Sequence, residues 1–154
     1  MEIILLTVGR LRPSLRDVAD DYARRLGRYV KLREVEVKEA SRAPTVEAQR
    51  VEEGHRLLER LPPGAVLVAL ARAGTAWSSE ELAAATGRWR VAARPVALAI
   101  GGSHGLGTEV LARGSNRWSL GPLTLPHELA RVLVLEQLYR AFTILGAEKY
   151  HKGR

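Results

Sequence analysis

The side chains able to do chemistry are few and unevenly placed. There are four histidines, His55, His104, His127 and His151, and none pairs at metal-ligand spacing. Cysteine is absent, which rules out a disulfide framework or a thiolate metal site and suits a reducing compartment. No metal is expected. Glu136 and Arg140 stand one helical turn apart. Read plainly they form an i, i+4 ion pair; read more sharply, they place a fixed cation at the mouth of a cleft. The terminal run Tyr150-His151-Lys152-Gly153-Arg154 joins a stacking ring to several cations. Such a run suits a nucleotide, through base stacking and phosphate contact, or it is a frayed terminus.

A second group of candidates is backbone rather than side chain. Gly101-Gly102-Ser103-His104-Gly105-Leu106-Gly107 follows an apolar run of strand length. Glycines there let main chain approach a ligand closely, and a helix N-terminus beyond favours anions. The order of the glycines is not the dinucleotide fingerprint, and no phosphate-binding lysine accompanies them, so a tight turn serves equally well. His104 in this loop and His127 after Pro126 could border one cleft.

The elements that position these residues follow from periodicity. Glu2 to Val8 reads as a buried strand, and Gly9 to Pro13 as a basic loop. Ser14 and Asp17 resemble a capping box for a first helix to about Gly27, carrying Leu15, Val18, Tyr22 and Leu26. Leu32 to Lys38 alternates as a strand. Thr45 is a candidate N-cap for a second helix, with Val51, His55 and Leu58 on its apolar face and His55 therefore packed or half-buried. Ala65 to Leu70 is an apolar strand that turns at Ala73-Gly74. Ser78 and Glu81 cap a third helix through Leu82, Ala85 and Trp89. Pro95 to Ile100 is a further strand, Thr108 to Arg113 a short helix, and Arg117 to Leu120 a last strand. After Gly121-Pro122, Pro126 opens a long helix to about Leu145.

Alternating strands and helices predict a single α/β domain with a mostly parallel sheet and helices on both faces. In such sheets ligands bind at the carboxyl ends of strands. Three ends stand out: Leu70 to Gly74, Gly101 to Gly107, and Leu120 to Pro126. In the last helix Leu135, Leu138, Tyr139 and Phe142 form one apolar face, and Val134, Ala141 and Leu145 a second. A helix apolar nearly all round is buried on several sides. Either the second face is the seam of a homodimer or the helix is sunk in the core of one chain.

The chain has 154 residues, 46% of them hydrophobic, enough for a sizeable core. Its N-terminus lacks the basic flank of a signal peptide, and no apolar run nears the ~18 residues that span a membrane. A net charge of +7, from 24 Lys+Arg against 17 Asp+Glu, points to a polyanion such as RNA, or to a compositional bias towards arginine.

Together, Ile100-Gly101-Gly102, Leu120-Gly121-Pro122-Leu123-Thr124-Leu125-Pro126-His127, Arg131-Val132-Leu133, Glu136-Gln137-Leu138-Tyr139-Arg140-Ala141 and Tyr150-His151-Lys152 resemble the RlmH family. These are small SPOUT-class methyltransferases that methylate N3 of a pseudouridine in large-subunit ribosomal RNA. The resemblance extends to Thr7-Val8-Gly9-Arg10-Leu11 and Tyr22-x-x-Arg25-Leu26, and so covers the whole chain. It implies one domain over 1–154 with a deep trefoil knot over about 65–154, which connection rules alone would have excluded. It implies S-adenosylmethionine held by Leu70, by Gly101 and Gly102, and by Leu120, Gly121, Pro122, Leu123, Thr124, Leu125 and Pro126. These are the three strand ends already singled out. Ser103-His104 departs from the pattern, which leaves the part played by His104 open.

On this footing Arg140 would stabilise the anion formed at N3, while Glu136, His127 or His151 would accept the proton. Arg10, Arg12, Tyr150, His151, Lys152 and Arg154 would contact RNA. The implied partners are 23S rRNA within assembled ribosomes and a second copy of the chain, in the cytoplasm. The alternative of another class is a non-catalytic RNA-binding protein of α/β fold, which explains the charge but leaves the donor-loop motif without a role.

Overall fold

The sheet is parallel throughout, with strand order β2-β1-β4-β3-β5. The computed structural model describes residues 1–152. In chain order these form β1 Glu2–Val8, α1 Pro13–Leu26, β2 Lys31–Val37, α2 Val46–Glu59, β3 Val66–Thr75, α3 Ser79–Ala92, β4 Val96–Ile100, α4 Thr108–Arg113, β5 Asn116–Trp118 and α5 His127–Leu145, then a 3₁₀ turn Lys149–Lys152.

Strand alternation builds two cores. Ile3 and Leu5 of β1, with Val96, Leu98 and Ile100 of β4, face a layer made by α1, α3 and α5. Ile4, Leu6 and Val8, with Ala97 and Ala99, face Leu57 of α2 and Val110 of α4. Helices therefore cover both faces, as parallel strands with continuous apolar runs require. Burial of each leucine or isoleucine contributes roughly 1.5–3 kcal/mol.

Local signals set most element ends. Thr45 Oγ1 accepts from the Ala48 amide at 3.0 Å, and Ser78 with Glu81 makes a reciprocal capping box. Ser14 does not cap α1. Pro13 occupies the first helical turn, Arg12 is the N-cap, and no side chain caps it. The preset φ of proline starts the helix one residue before the expected cap. Pro126, expected inside the first turn of α5, is its N-cap residue instead.

Two other expectations fail for reasons of packing. The buried face of α2 carries Glu53, Gly54 and Leu57, whereas Val51 and His55 are exposed. Glycine lets α2 sit close on α4, and this close approach selects the face: a Cβ at Gly54 would lie 3.2 Å from Val110. Nor does the chain turn at Ala73-Gly74. β3 runs on to Thr75, which pairs with Trp118 after a register shift from Leu70. Gly74 permits this, since a Cβ there would come within 2.5 Å of the Arg117 carbonyl oxygen.

Helix α5 is sunk within the chain, between α1 and α3. Val134 and Ala141 are fully buried there, so the expected second face is not a free seam. What α5 leaves partly open is another stripe: Leu129, Leu133, Glu136, Gln137, Arg140 and Ile144.

Candidate active site at the strand ends

Three neighbouring strands bring the expected donor residues to one edge of the sheet. Ala69 of β3 is level with Ala99 of β4, and Leu70 with Trp118 of β5. Leu70, Gly101-Gly102 and Leu120 thus leave adjacent strands within about two residues of a common level. Leu70 and Leu120 both pack on the core, and Gly101 and Gly102 are buried.

Beyond β5 the chain is shaped by its own short contacts. Ser119 Oγ accepts from the Gly121 amide at 3.1 Å, and Gly121 takes φ +109, which a side chain would resist. The Arg72 guanidinium reaches the Pro122 carbonyl at 3.5 Å, tying the extension of β3 to this loop. Pro122, Leu123, Thr124 and Pro126 are exposed, with Leu123 at 74%.

Leu120, Gly121 and Leu125 border a cleft of about 340 Å³, whose other walls are Ala76, Trp77, Ser78, Ser79, Leu82, Trp118, Ser119, Leu133 and Gln137. Its size lies at the lower end of the roughly 300–1,000 Å³ of small-molecule sites, and its lining is mainly apolar with a few polar groups. Trp77 was not among the expected site residues. It stands 6.0 Å from Trp118 and 6.2 Å from Trp89, ring centre to ring centre. Its place just before the α3 N-cap, at a strand's carboxyl end, was the signal available in the sequence.

From this cleft a chain of polar contacts runs along α5. Ser79 Oγ donates to Gln137 Oε1 at 2.7 Å, and Gln137 Nε2 donates to Glu136 Oε2 at 2.7 Å. Arg140 donates to Glu136 Oε1 from Nε at 2.9 Å and Nη2 at 2.7 Å. The Tyr150 hydroxyl donates to the same oxygen at 3.1 Å, and the Arg140 guanidinium lies 4.9 Å from the Tyr150 ring centre. The plain reading of the Glu136–Arg140 pair holds: it is an i, i+4 ion pair, and Arg140 does not line the cleft but lies one turn beyond Gln137, which does. Burial opposes the Arg140 charge, but the hydrogen bonds and charge of Glu136 outweigh it and hold Arg140 above its ordinary value. Burial, then the bond with Tyr22 and the Glu136 charge, pushes the Tyr150 phenol up.

Tyr150 is not frayed, because its ring packs edge-on to Tyr139 at 4.7 Å. His151 and Lys152 share the 3₁₀ turn, but their side chains, like the whole of Arg154, lie outside the described residues.

Other candidates fall elsewhere. His127 opens α5, thirteen residues before Arg140, a separation of about 20 Å along a helix. Within one chain these two cannot share a reacting atom. His127 instead borders a narrow crevice with Thr7, Arg10, Gly101 and Arg131. Arg12 is held by Glu128, which accepts from its amide and its guanidinium. His104 is exposed, and its carbonyl accepts from Arg50 Nε at 2.6 Å. His55, expected to be packed, is exposed and 2.9 Å from Glu109. Among the described residues no cluster could hold a metal ion.

A family model described as "Predicted SPOUT methyltransferase" matches residues 1–151. The chain belongs to the SPOUT methyltransferase family. Its full-length relatives in this family include the ribosomal RNA large subunit methyltransferase H of Azotobacter vinelandii, 44% identical over 99% of this chain and 100% of the relative. The protein of that name from Pseudomonas putida is 42% identical over the same shares. Two solved structures share the fold. A probable methylase family protein from Haemophilus influenzae aligns with TM-score 0.54 and 15% identity over 97% of this chain and 69% of that one. A probable methyltransferase from Bordetella pertussis aligns with TM-score 0.54 and 20% identity, over 90% and 95%. As a SPOUT member the protein is a methyltransferase rather than a catalytically silent RNA-binding module.

Proposed function

We propose that this SPOUT methyltransferase transfers a methyl group from S-adenosylmethionine to N3 of a pseudouridine in 23S rRNA of the large ribosomal subunit. The observation that carries the reading is the adjacency, along one stripe of α5, of the apolar cleft and the Glu136–Arg140–Tyr150 cluster. The names of the full-length relatives, each a ribosomal RNA large subunit methyltransferase H, support the substrate class.

The cleft fits the donor chemically. Trp77, Leu120 and Leu125 offer apolar walls for a purine, while Ser119 and Gln137 offer polar contacts, and Gly121 keeps the main chain accessible. Leu70, Gly101 and Gly102 would complete this site from the neighbouring strand ends, with Pro122, Leu123, Thr124 and Pro126 closing over it. Bound there, the donor supplies an already activated methyl on its sulfonium. The chain's own task is then to align N3 and settle its proton. Alignment contributes up to roughly 7–11 kcal/mol in well-ordered cases. Arg140, held charged by Glu136, would favour the N3 anion. Glu136, already accepting several bonds, is the proton acceptor nearest Arg140 within a chain. His127 or His151 could act there only from a second subunit.

A homodimer is therefore part of the proposal, and its seam is assigned to the half-open stripe Leu129, Leu133 and Ile144 of α5. Arg10, Arg12, Lys152 and Arg154 would meet RNA phosphates. A trefoil knot over about 65–154 and a cytoplasmic location complete the reading. No helix among the described residues is long and apolar enough to cross a membrane.

The test uses labelled donor with ribosomal subunits and 70S ribosomes from cells lacking the modification. Arg140→Ala should keep donor binding and lose methyl transfer by roughly 10²–10³-fold, the usual cost of one charge-stabilising group. Unchanged turnover would remove Arg140 from the mechanism.

A further inference from the structure

The net charge of +7 is not spread evenly along the chain. Residues 1–59 carry twelve Lys and Arg against eleven Asp and Glu, and are close to neutral. Residues 60–127 carry seven arginines against only Glu80, Glu81 and Glu109, a net +4. More than half of the excess charge therefore lies in this middle part. All seven of its arginines are exposed, and among the described residues none comes within ion-pair distance of a carboxylate. In the first part, by contrast, six of the twelve cations are so paired.

Folding gathers part of this charge on one edge of the sheet. β5 is an edge strand, paired only with β3, and Arg117 lies on it, level with Ala69. Arg113 ends α4 four residues earlier. Arg72 stands on the extension of β3, where its guanidinium reaches the Pro122 carbonyl. The two segments that build this edge, 60–79 and 110–127, contain no Asp or Glu at all. Beside Arg117, Trp118 lines the cleft, and the chain then enters the expected donor loop. A charge on an edge strand also prevents pairing with a second copy. That role needs only Arg117, because Arg113 belongs to a helix and Arg72 to the neighbouring strand.

We propose that this acid-free edge is a phosphate-binding surface for the RNA substrate, leading its backbone to the donor loop. Exposed guanidiniums without carboxylate partners are free to bind phosphate oxygens and release the counterions of the RNA. Such contacts position a nucleic acid without reading its bases. The surface is separate from Arg10 and Arg12, which follow β1, three places away along the sheet. Arg12 is moreover held by Glu128. The proposal rests on the methyltransferase reading for its choice of polyanion.

Arg113→Gln combined with Arg117→Gln tests it, leaving Arg72 in place because it also ties the donor loop. Arg33→Gln combined with Arg42→Gln is the control. It removes the same charge from exposed positions on and after β2, at the opposite edge. The probe is a labelled oligouridylate of about twenty nucleotides, its Kd read by fluorescence anisotropy across a potassium chloride series. Each phosphate contact on a single strand contributes about 0.7 to the slope of log Kd against log salt. The edge variant should therefore lose more than one unit of slope, and the control less than half of one. This arm needs no methyl transfer. With ribosomes as substrate, the edge variant should show a KM raised at least five-fold, with kcat and the donor Kd unchanged. An edge variant that keeps the parent's slope would overturn the surface, and so would a control that loses as much. A parent whose RNA binding depends on the edge, yet which transfers no methyl, would refute the reaction and leave the surface standing.

Discussion

Glu36 shows how a single carboxylate links the rim of the sheet to α5. Its Oε2 lies 2.7 Å from Arg131 Nη2 and 2.8 Å from Arg16 Nη2. Partial burial pushes the carboxyl up, but the bonds and charges of Arg131 and Arg16 outweigh it, so Glu36 titrates below the usual carboxylate range. A folded-state value below the unfolded one means that the group stabilises the fold above the unfolded value, about 4.3, and that this contribution is lost as pH falls. Glu128 is held low in the same sense by its hydrogen bonds to Arg12. Urea unfolding at pH 7 should show Glu36→Gln weakened by roughly 1–3 kcal/mol, because Arg131 remains buried with only Glu34 at 3.6 Å. Between pH 5 and 3 the same variant should lose less further stability than the parent. An equal loss would place the acid sensitivity elsewhere.

At the scale of elements, the last turn of the chain behaves as a docked segment. Tyr150 packs on Tyr139 and bonds Glu136, and Glu148 accepts from the Tyr29 hydroxyl at 2.6 Å, which pushes that phenol up to about 12. Removing Tyr150 to Arg154 should leave a folded protein that binds S-adenosylmethionine normally but shows a KM for ribosomes raised ten-fold or more; normal methylation would reduce the tail to a structural clasp. The tail was recognisable as a stacking-and-cation motif, whereas its docking required Tyr150 to meet Tyr22 and Tyr139 across 128 and 11 residues of chain. Such contacts leave no local signature. The capping signals at Thr45 and Ser78 were legible because caps act within four residues. The face of α2 was not, since the choice between Val51 and Gly54 depends on how closely α4 approaches.

For the whole molecule, Leu129, 39% exposed, and Leu123, 74% exposed in the expected donor loop, are large apolar side chains left uncovered by one chain. A second copy on the half-open stripe of α5 would bury both flanks of the cleft and bring a partner's tail or His127 towards Arg140. Sedimentation velocity should therefore show a two-chain species. Leu129→Asp combined with Ile144→Asp should give a folded monomer that no longer methylates ribosomes. A monomeric parent with full activity would end the composite-site reading.

By itself the sequence determined the α/β class, the succession of elements, the two capped helices α2 and α3 and the end of β4 at Ile100, because each is written in neighbouring residues. Its motif residues also carried the family resemblance, which the full-length relatives bear out. Only the tertiary structure decided that Val134 and Ala141 are core, that β3 extends to Thr75, and that Trp77 lines the cleft. It also separated His127 from Arg140 and gathered Thr7, Arg10 and Arg131 around one crevice. The physical reason is the same in each case. Periodicity says that a side chain is covered, while what covers it depends on strand order and helix packing between residues far apart in the chain.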